Sequence, residues 1–331
     1  MEEFSIHAAR RGDSVRCALL LAAAMLVSVA QAQSYPARPI KMIVPFPAGG
    51  GYDLVARTVA QKYTEDWGQP VVIDNRPGAN GNIGTELAAR SAPDGYTLIM
   101  GGIGPHALSV GLYPKLPYDP VRDFEPITLA ATQQNLFVAH PSVPVKNVSD
   151  LVRLAKSRPG QLTYASTGSG SGQHLAAEQL KQMAGIDMVH VPYKGGPPAL
   201  SAIMAGEVSV EFNIILLPLP HVKAGRLTAL GVASAKRSQL APEIPTLAEA
   251  GYPIDIDTWY GLYAPAGIPK DLVAKLNAEA IKALSPADVK ERLRSQGIDV
   301  VAAGPDRLAA HNKAEIARWT KLIRDAKITM D

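Results

Sequence analysis

Two short stretches combine glycine with small polar residues in an order that suits anion binding. Residues 45–53 spell PFPAGGGYD and residues 166–174 spell STGSGSGQH, and each stretch follows an apolar run and precedes a helical pattern. Glycine lets a backbone approach a ligand closely, and the first N–H groups of a helix have no partner within it. Each stretch therefore predicts a site for a small anion such as a carboxylate.

The first stretch does not match the two best-known nucleotide loops. A phosphate loop would add a lysine, and none is present between residues 45 and 53. The dinucleotide pattern G-x-G-x-x-G also fails, because Gly49 and Gly51 are followed by Leu54. Asp53, at the start of the helix, argues against a bulky polyanion. Two roles stay open for it: an N-cap of the helix, or an acceptor for a donor on the ligand or on ordered water.

The second stretch does not match a serine hydrolase. The nucleophile elbow G-x-S-x-G would need glycine two residues before the serine, but Ser169 follows Thr167 and Ser171 follows Ser169. No acidic residue is apparent to orient His174, which is either an ordinary first-turn residue or a ligand contact. The histidines beyond residue 32 form neither an H-E-x-x-H motif nor a close pair, which are the spacings typical of metal sites. No metal site and no cofactor are therefore predicted.

Two further glycine-containing segments are weaker candidates. Residues 101–107 (GGIGPHA) match the dinucleotide pattern only in part, and Pro105 is unsuited to the helix that this pattern requires, so a turn at the edge of a cleft is predicted. In VPYKGGPP (191–198) the lysine precedes the glycines, so Lys194 is expected in solvent and Tyr193 as a wall of the cleft.

Alternating strand and helix patterns surround these loops. Residues 41–44, 71–75 and 96–100 are strand-like, with helical patterns between them. A second alternating series begins near residue 136, in which Ser149 is the predicted cap of the helix that starts at residue 150. Such alternation builds sheets flanked by helices, and ligands bind outside the carboxyl ends of their strands. We therefore expect two α/β lobes whose glycine loops face each other across a cleft.

The amino terminus has the features of a secretory signal. Arginines precede the apolar run 17–30, and Ala30-Gln31-Ala32 supplies a small-x-small cleavage site, so residues 1–32 are predicted to be removed. About 20 apolar residues would be needed for a membrane anchor, and the run is shorter. Cleavage would remove the only cysteine of the 331 residues, which excludes thiol chemistry. The net charge of +3 is spread along the chain, so nucleic-acid binding is not indicated.

Nine segments together resemble one family, the Bug-type extracytoplasmic receptors of tripartite tricarboxylate transporters. In chain order they are YPARPIKMIVPFPAGGGYDLVAR, VVIDNRPGANGNIG, DGYTLIM, YDPVRDFEPIT, YASTGSGSGQHLAAE, VHVPYKGGPPAL, AGRLTALGVAS, IPTLAEAGYP and WYGLYAPAGIP. The resemblance implies a type II periplasmic-binding fold, with lobe 1 formed by residues 33–133 plus 257–331 and lobe 2 by residues 134–256. It also implies a periplasmic, non-enzymatic and monomeric protein that captures a small carboxylic acid and delivers it to membrane permease subunits.

The resemblance assigns ligand-binding residues to both loops. These are Phe46, Ala48, Gly49, Gly50, Tyr52 and Asp53 in the first loop, and Ser166, Thr167, Gly168, Ser169, Ser171 and His174 in the second, with Tyr193 and Asn213 behind them. Tyr52 stands where the family usually has Thr or Ser, which predicts a narrower cleft or stacking on an aromatic acid. The segment before His106, Gly-Ile-Gly-Pro, also replaces the usual hydroxyl-rich run.

The cargo and partner remain open between several alternatives. The acid could be a di- or tricarboxylate, an acidic amino acid or an aromatic carboxylate. A receptor that reports its ligand to a signalling partner would have the same fold. A secreted hydrolase or lyase on this fold is a third alternative, disfavoured because the sequence shows no nucleophile–base pair.

Overall fold

The computed structural model describes residues 35–325 and residue 328, so the predicted signal peptide (1–32) lies outside the described residues. The strands are β1 (Ile40–Val44), β2 (Val71–Asn75), β3 (Thr97–Gly102), β4 (Phe124–Gln133), β5 (Asn135–Ala139), β6 (Thr163–Ser166), β7 (Val189–Pro192), β8 (Val210–Ile214), β9 (Thr228–Val232), β10 (Thr258–Pro265) and β11 (Ile298–Ala303). The α-helices are α1 (Gly51–Trp67), α2 (Asn82–Ala89), α3 (Ser109–Leu112), α4 (Val148–Ser157), α5 (Gly172–Ala184), α6 (Gly196–Met204), α7 (Leu219–Lys223), α8 (Lys270–Leu284), α9 (Ala287–Arg294) and α10 (Pro305–Asp325). A 3₁₀ turn covers Ala79–Gly81 and a π-helical turn covers Gly104–Leu108.

The first sheet has six strands in the order β11-β4-β10-β3-β1-β2. β1 pairs in parallel with β2 and β3, while β10 is antiparallel to both β3 and β4. Every residue of β10 is buried, as expected of a central strand covered on both faces. We call the part of the molecule built on this sheet lobe 1.

The second sheet has five strands in the order β7-β6-β8-β5-β9. β6 is parallel to β7 and β8, whereas β5 is antiparallel to β8 and β9. We call the part built on this sheet lobe 2. Two mixed sheets flanked by helices confirm the predicted fold class.

The chain passes between the sheets at two crossovers. Only Gln134 separates β4 from β5, and the return runs from the end of β9 to the start of β10. The side-chain amide of Gln134 donates to Ser234 Oγ and to the carbonyl of Lys236, so the two crossovers are bonded to each other. The lobe limits given above stay a prediction.

Three local predictions differ from the structure. β4 and β9 were not predicted, because Pro126 and several threonines interrupt the apolar pattern of β4 and Gly231 interrupts that of β9. Residues 104–108 form a π-helical turn that continues into α3, not a simple turn. The cap of α4 is Asn147, whose Oδ1 accepts from the N–H of Asp150 at 2.9 Å, whereas Ser149 was the predicted cap.

Two features are absent from the described part of the chain. No helix there is both long enough and apolar enough to cross a membrane. Among the same residues, no group of three or more His, Cys, Asp or Glu side chains is placed to hold a metal ion.

We expect Asn147→Ala to lower the free energy of unfolding by about 1 kcal/mol, because the N–H of Asp150 loses its cap acceptor. Denaturant titration of the purified protein measures this loss. Ser149→Ala, two residues along in the same helix and exposed, should change the value by less than about 0.5 kcal/mol. Equal effects of the two substitutions would contradict the cap assignment.

Candidate functional site

A cavity of about 510 Å³, its opening included, lies between the two lobes, and we call it the inner cavity. Lobe 1 lines it with Phe46, Pro47, Gly50, Gly51, Tyr52, Asn80, Ile103, Gly104, Thr258 and Tyr260. Lobe 2 lines it with Thr167, Ser171, Gly172, Gln173, Gly196, Pro197, Asn213 and Ile214. Among these lining residues, all within the described part of the chain, none has a charged side chain.

Three helices begin at the wall of this cavity. The first residues of α1, α5 and α6 (Gly51, Gly172 and Gly196) all line it. The first turns of α1 and α5 present N–H groups that have no partner within the helix, whereas α6 offers only that of Gly196, because Pro197 and Pro198 have no N–H. All three helices direct the positive end of their dipole at the cavity. The inner cavity is therefore electropositive without containing a cation, which suits a carboxylate.

The first loop is held in shape by Asp53. Its Oδ2 accepts from the N–H of Gly49 at 3.1 Å and from Arg57 Nε at 2.8 Å, and its Oδ1 accepts from Asn75 Nδ2 at 3.1 Å. Although burial opposes ionisation, these donors hold the pKa of Asp53 below its ordinary value. Of the two roles left open for Asp53, the structure excludes the N-cap, because the cap position is Gly50 and Asp53 is the third residue of α1.

Gly51 and Tyr260 meet at the back of the first loop. A Cβ placed on Gly51 would come within 2.0 Å of the Tyr260 hydroxyl and 2.4 Å of Gln133 Oε1. The Tyr260 hydroxyl donates to that same Gln133 oxygen. Because residue 51 is glycine, Tyr260 of β10 can pack directly against the start of α1.

Tyr52 belongs to an aromatic group on the lobe 1 side. Its ring stacks on Phe46, with centroids 4.3 Å apart, and meets the edge of Tyr260 at 4.8 Å. Its hydroxyl is packed so closely over Gly102 that a Cβ there would come within 2.5 Å of it. Burial raises the pKa of the Tyr52 phenol well above its ordinary value, so it stays neutral. One face of the ring is thus already covered by protein.

The second loop is held in shape by residues at the start of α5. Ser171 is the N-cap and accepts from the N–H of His174 at 3.2 Å. His174 Nδ1 in turn accepts from the N–H of Gly170 at 3.0 Å. His174 is buried, 2% exposed, and does not line the inner cavity. The structure therefore favours the first-turn role for His174.

A chain of hydrogen bonds links the inner cavity to the crossover between the lobes. Thr167 Oγ1 donates to Gln173 Oε1 at 2.8 Å, and Gln173 Nε2 donates to Asn135 Oδ1 at 2.7 Å. Asn135 Nδ2 donates onward to the carbonyl of Ile256 at 2.7 Å. The polar wall of lobe 2 is thus fixed relative to both crossovers.

The structure contains a serine–histidine pair that the sequence did not reveal. Ser166 Oγ and His190 Nε2 are 2.7 Å apart, and the rings of His190 and His174 stack at 4.0 Å. Ser166 is fully buried, its Oγ also contacts Gly168, and neither partner lines the inner cavity. A nucleophile needs access to its substrate, so this geometry is that of a structural pair.

Asn213 holds the start of α6 in place. Its Nδ2 donates to the carbonyl of Gly196 and to Oε1 of Glu211, a carboxyl that is completely buried in lobe 2. Burial raises the pKa of Glu211 to about 8, and the bond from Asn213 only partly offsets this. Glu211 is therefore protonated at neutral pH.

An outer cavity of about 570 Å³ adjoins the inner one. It lies between residues 78–81 and Tyr113 of lobe 1 and residues 167–169 and 192–194 of lobe 2. Phe46, Asn80 and Thr167 line both cavities.

The predicted ligand-binding residues fall into three groups. Six line the inner cavity, namely Phe46, Gly50, Tyr52, Thr167, Ser171 and Asn213. Gly168, Ser169 and Tyr193 line the outer cavity instead. Ala48, Gly49, Asp53, Ser166 and His174 line neither, and Ala48 and Gly49 are exposed. Contact of any of them with a ligand stays a prediction.

Several lining residues were missed by sequence reasoning. Asn80, Gln173, Gly196, Thr258 and Tyr260 all line the inner cavity. Gln173 lies within the second glycine stretch (166–174), and Gly196 lies within VPYKGGPP (191–198). Both stretches were already candidates for the site, so the sequence did indicate the neighbourhood of these two residues. Thr258 and Tyr260 reach the cavity only through the second crossover, and no local pattern indicates this.

The chain is similar to one protein family over most of its length. The profile of the TctC family, described as the tripartite tricarboxylate transporter family receptor, matches residues 55–328. Protein BugT of Bordetella pertussis is 37% identical over 311 residues, which cover 93% of this chain and 95% of BugT. The resemblance to Bug-type receptors is thereby confirmed.

Solved structures of related proteins agree with the fold. The periplasmic binding protein BugD has a TM-score of 0.85 at 32% identity, covering 90% of this chain and all of its own. A Rhodopseudomonas palustris protein with adipate has a TM-score of 0.85 at 37% identity, covering 89% and 99% of the two chains. MatC of the same organism, with bound malate, has a TM-score of 0.83 at 35% identity, covering 87% and 100%.

We expect Gly51→Ala to destabilise the protein by about 1–3 kcal/mol, because the new methyl group overlaps the buried Tyr260 hydroxyl. Gly50→Ala is the matched control. Its nearest neighbour would be the carbonyl oxygen of Pro47 at 3.7 Å, and its φ of −86° suits any residue. Thermal and denaturant unfolding compare the two. A Gly51→Ala protein as stable as Gly50→Ala would contradict the packing described here.

The buried Glu211 predicts a decrease in stability as pH rises. Its folded pKa, about 8, lies above the ordinary value, so its contribution is complete below about pH 4.5 and is lost through about pH 8. The slope is at most about 1.4 kcal/mol per pH unit for one proton. Denaturant unfolding at pH 5, 7 and 9 should show that the free energy of unfolding of Glu211→Gln depends less on pH than that of the wild type.

Asp257 is a second buried carboxyl that contributes to the same pH dependence. Burial, with the charge of Asp255, raises the pKa of Asp257 to about 7, so Asp257→Asn is measured in parallel.

Proposed function

The chain belongs to the TctC family of tripartite tricarboxylate transporter receptors, and on that premise we propose that it captures a small carboxylic acid by closing its two lobes and delivers it to a membrane permease. Relatives in this family are solute-binding proteins, and BugD is described as periplasmic. The observation that carries the proposal is the inner cavity, where three helices begin and no charged side chain is present among the lining residues.

The lining of the cavity favours an anion over a cation. A cation would face the positive ends of helix dipoles with no acidic side chain among the lining residues to compensate. A carboxylate can be bound by backbone N–H groups and hydroxyl donors, which is what the first turns of α1 and α5 supply.

The bound acids of two structural neighbours fit this chemistry. Adipate and malate, named for the two R. palustris proteins, are aliphatic dicarboxylates. For this chain we propose a small carboxylic acid of one of three kinds: a di- or tricarboxylate, an acidic amino acid or an aromatic carboxylate. Tyr52 does not require an aromatic ligand, because Phe46 already covers one face of its ring.

Lobe closure would be driven by contacts that exist only when the lobes meet. Pro47 of lobe 1 packs against Gly195 of lobe 2, where an added Cβ would come within 2.7 Å of Pro47 Cδ. A ligand that contacts both loops binds the closed arrangement of the lobes more tightly than an open one. It therefore stabilises the closed arrangement by the difference between the two binding free energies. Binding is therefore coupled to the relative position of the lobes.

The remaining features of the proposal follow the family. We propose a secreted, monomeric receptor with the lobe limits predicted above, a permease as its partner and no catalytic step. The buried Ser166–His190 pair does not argue for catalysis, since neither residue lines the inner cavity.

The test is thermal unfolding of the protein, from Gln33 onward and freed of co-purified ligand, with succinate, malate, adipate, citrate, glutamate, benzoate and nicotinate. A ligand at 100 times its dissociation constant adds about 2.7 kcal/mol, which raises the midpoint by several degrees. We expect such a shift with one chemical class of acid. No shift with any of them would reject a carboxylate cargo.

A pair of loop variants then locates the site. Gly50→Val puts a side chain into open space at the cavity wall and should weaken binding without lowering stability. Ala48→Val, exposed and outside the cavity in the same loop, tests the predicted contact of Ala48 with the acid. Unchanged affinity in this variant would remove Ala48 from the predicted ligand-binding residues. Unchanged affinity in the Gly50→Val protein would show that the acid binds elsewhere.

A further inference from the structure

Asn80 stands at the boundary between the inner and outer cavities. It is one of only three described residues that line both, together with Phe46 and Thr167. Phe46 stacks on Tyr52 within lobe 1, and Thr167 is bonded to Gln173 within lobe 2. Asn80 differs from both, because it contacts the opposite lobe.

The contact across the cleft is a buried hydrogen bond. Asn80 Nδ2 donates to the carbonyl oxygen of Gly170 at 2.7 Å, and Asn80 is only 6% exposed. Gly170 belongs to the second loop, immediately before the Ser171 cap. The bond therefore fixes the loop of lobe 2 to the 3₁₀ turn of lobe 1.

The backbone around Asn80 is arranged to bring this side chain into place. Asn80 has φ 53° and ψ 33°, in the left-handed region, and Ala79 before it has φ 47°. The left-handed region costs most non-glycine residues about 1–2 kcal/mol, as it does Ala79, whereas asparagine adopts it more readily. Gly104 supplies the space, because a Cβ at that position would come within 2.8 Å of Asn80 Oδ1.

The two cavities differ in charge. The inner cavity has no charged side chain in its lining, whereas the described lining of the outer cavity includes one, the exposed Lys194. A diacid too long for the inner cavity would extend past Asn80, and its second carboxylate would approach the ammonium group of Lys194. The chemistry of the outer cavity thus suits the far end of a longer diacid.

We propose that Asn80 is a specificity-determining residue that ties the lobes across the cleft, separates the two cavities and thereby limits the length of the acid that is bound. This inference rests on the proposed function of carboxylate capture. In the intact protein the hydrogen bond to Gly170 favours acids that fit wholly within the inner cavity.

The experiment measures affinity by calorimetry for the linear diacids from malonate to suberate, with wild type, Asn80→Gly and Ala79→Gly. Both variants relieve a left-handed backbone at adjacent positions, but only Asn80→Gly removes the cross-cleft bond. We expect Asn80→Gly to lose two- to tenfold in affinity for the best wild-type acid, in line with one hydrogen bond. Its preferred chain length should increase, while Ala79→Gly keeps the wild-type profile.

A double variant tests the role of the outer cavity. Adding Lys194→Gln to Asn80→Gly should abolish the gain for longer acids, whereas Lys194→Gln alone should leave the wild-type profile unchanged. Identical profiles for Asn80→Gly and Ala79→Gly would overturn the inference while leaving carboxylate capture standing.

A separate readout applies if wild type binds no diacid. That result would reject the proposed linear-diacid cargo, and amide hydrogen exchange over residues 166–171 would then decide the role of Asn80. Faster exchange in Asn80→Gly than in Ala79→Gly would support the cross-cleft bond. Equal exchange in the two variants would overturn it.

Discussion

The N–H groups without a helical partner at the starts of α1 and α5, with that of Gly196 at the start of α6, are the feature on which the rest of the structure depends. They can face a common cavity only if the loop before each helix keeps its shape mainly by other contacts; in α5 the Ser171 cap uses the N–H of His174. Asp53, His174 and Asn213 each provide that support, by bonding to Gly49, Gly170 and Gly196 respectively. Polar side chains that seemed suited to a ligand are thus largely occupied in holding backbone in place.

Local patterns predicted the parts of the fold that depend on neighbouring residues. The strand–loop–helix units at residues 44–53 and 166–174 were predicted because apolar runs, glycines and helix signals all lie within a few residues of one another. The role of Asp53 was not, because it depends on Asn75, which lies 22 residues away, and on where α1 begins. Tyr260 reaches the site through strand pairing with β3 and β4, for which the sequence has no local signal. The sequence also does not predict the left-handed backbone of Asn80, because asparagine adopts many conformations in turns.

The crossovers join the cleft to the parts of the chain that would have to bend. Gln134 bonds one crossover to the other, and Asn135 connects this pair to Gln173 at the cavity wall. A change in the polar wall of lobe 2 is therefore mechanically linked to the segments between the lobes. If the lobes close as proposed, few residues would absorb the motion, as is usual for hinges.

The absence of charged side chains from the inner-cavity lining has an electrostatic consequence for the occupied site. In a pocket with a cationic side chain, a bound anion would form an ion pair and the occupied site would be locally neutral. Helix dipoles stabilise an anion without an ion pair, so the occupied cavity would keep the uncompensated negative charge of its cargo. This local charge, screened over the Debye length, would distinguish an occupied cleft from an empty one at the protein surface.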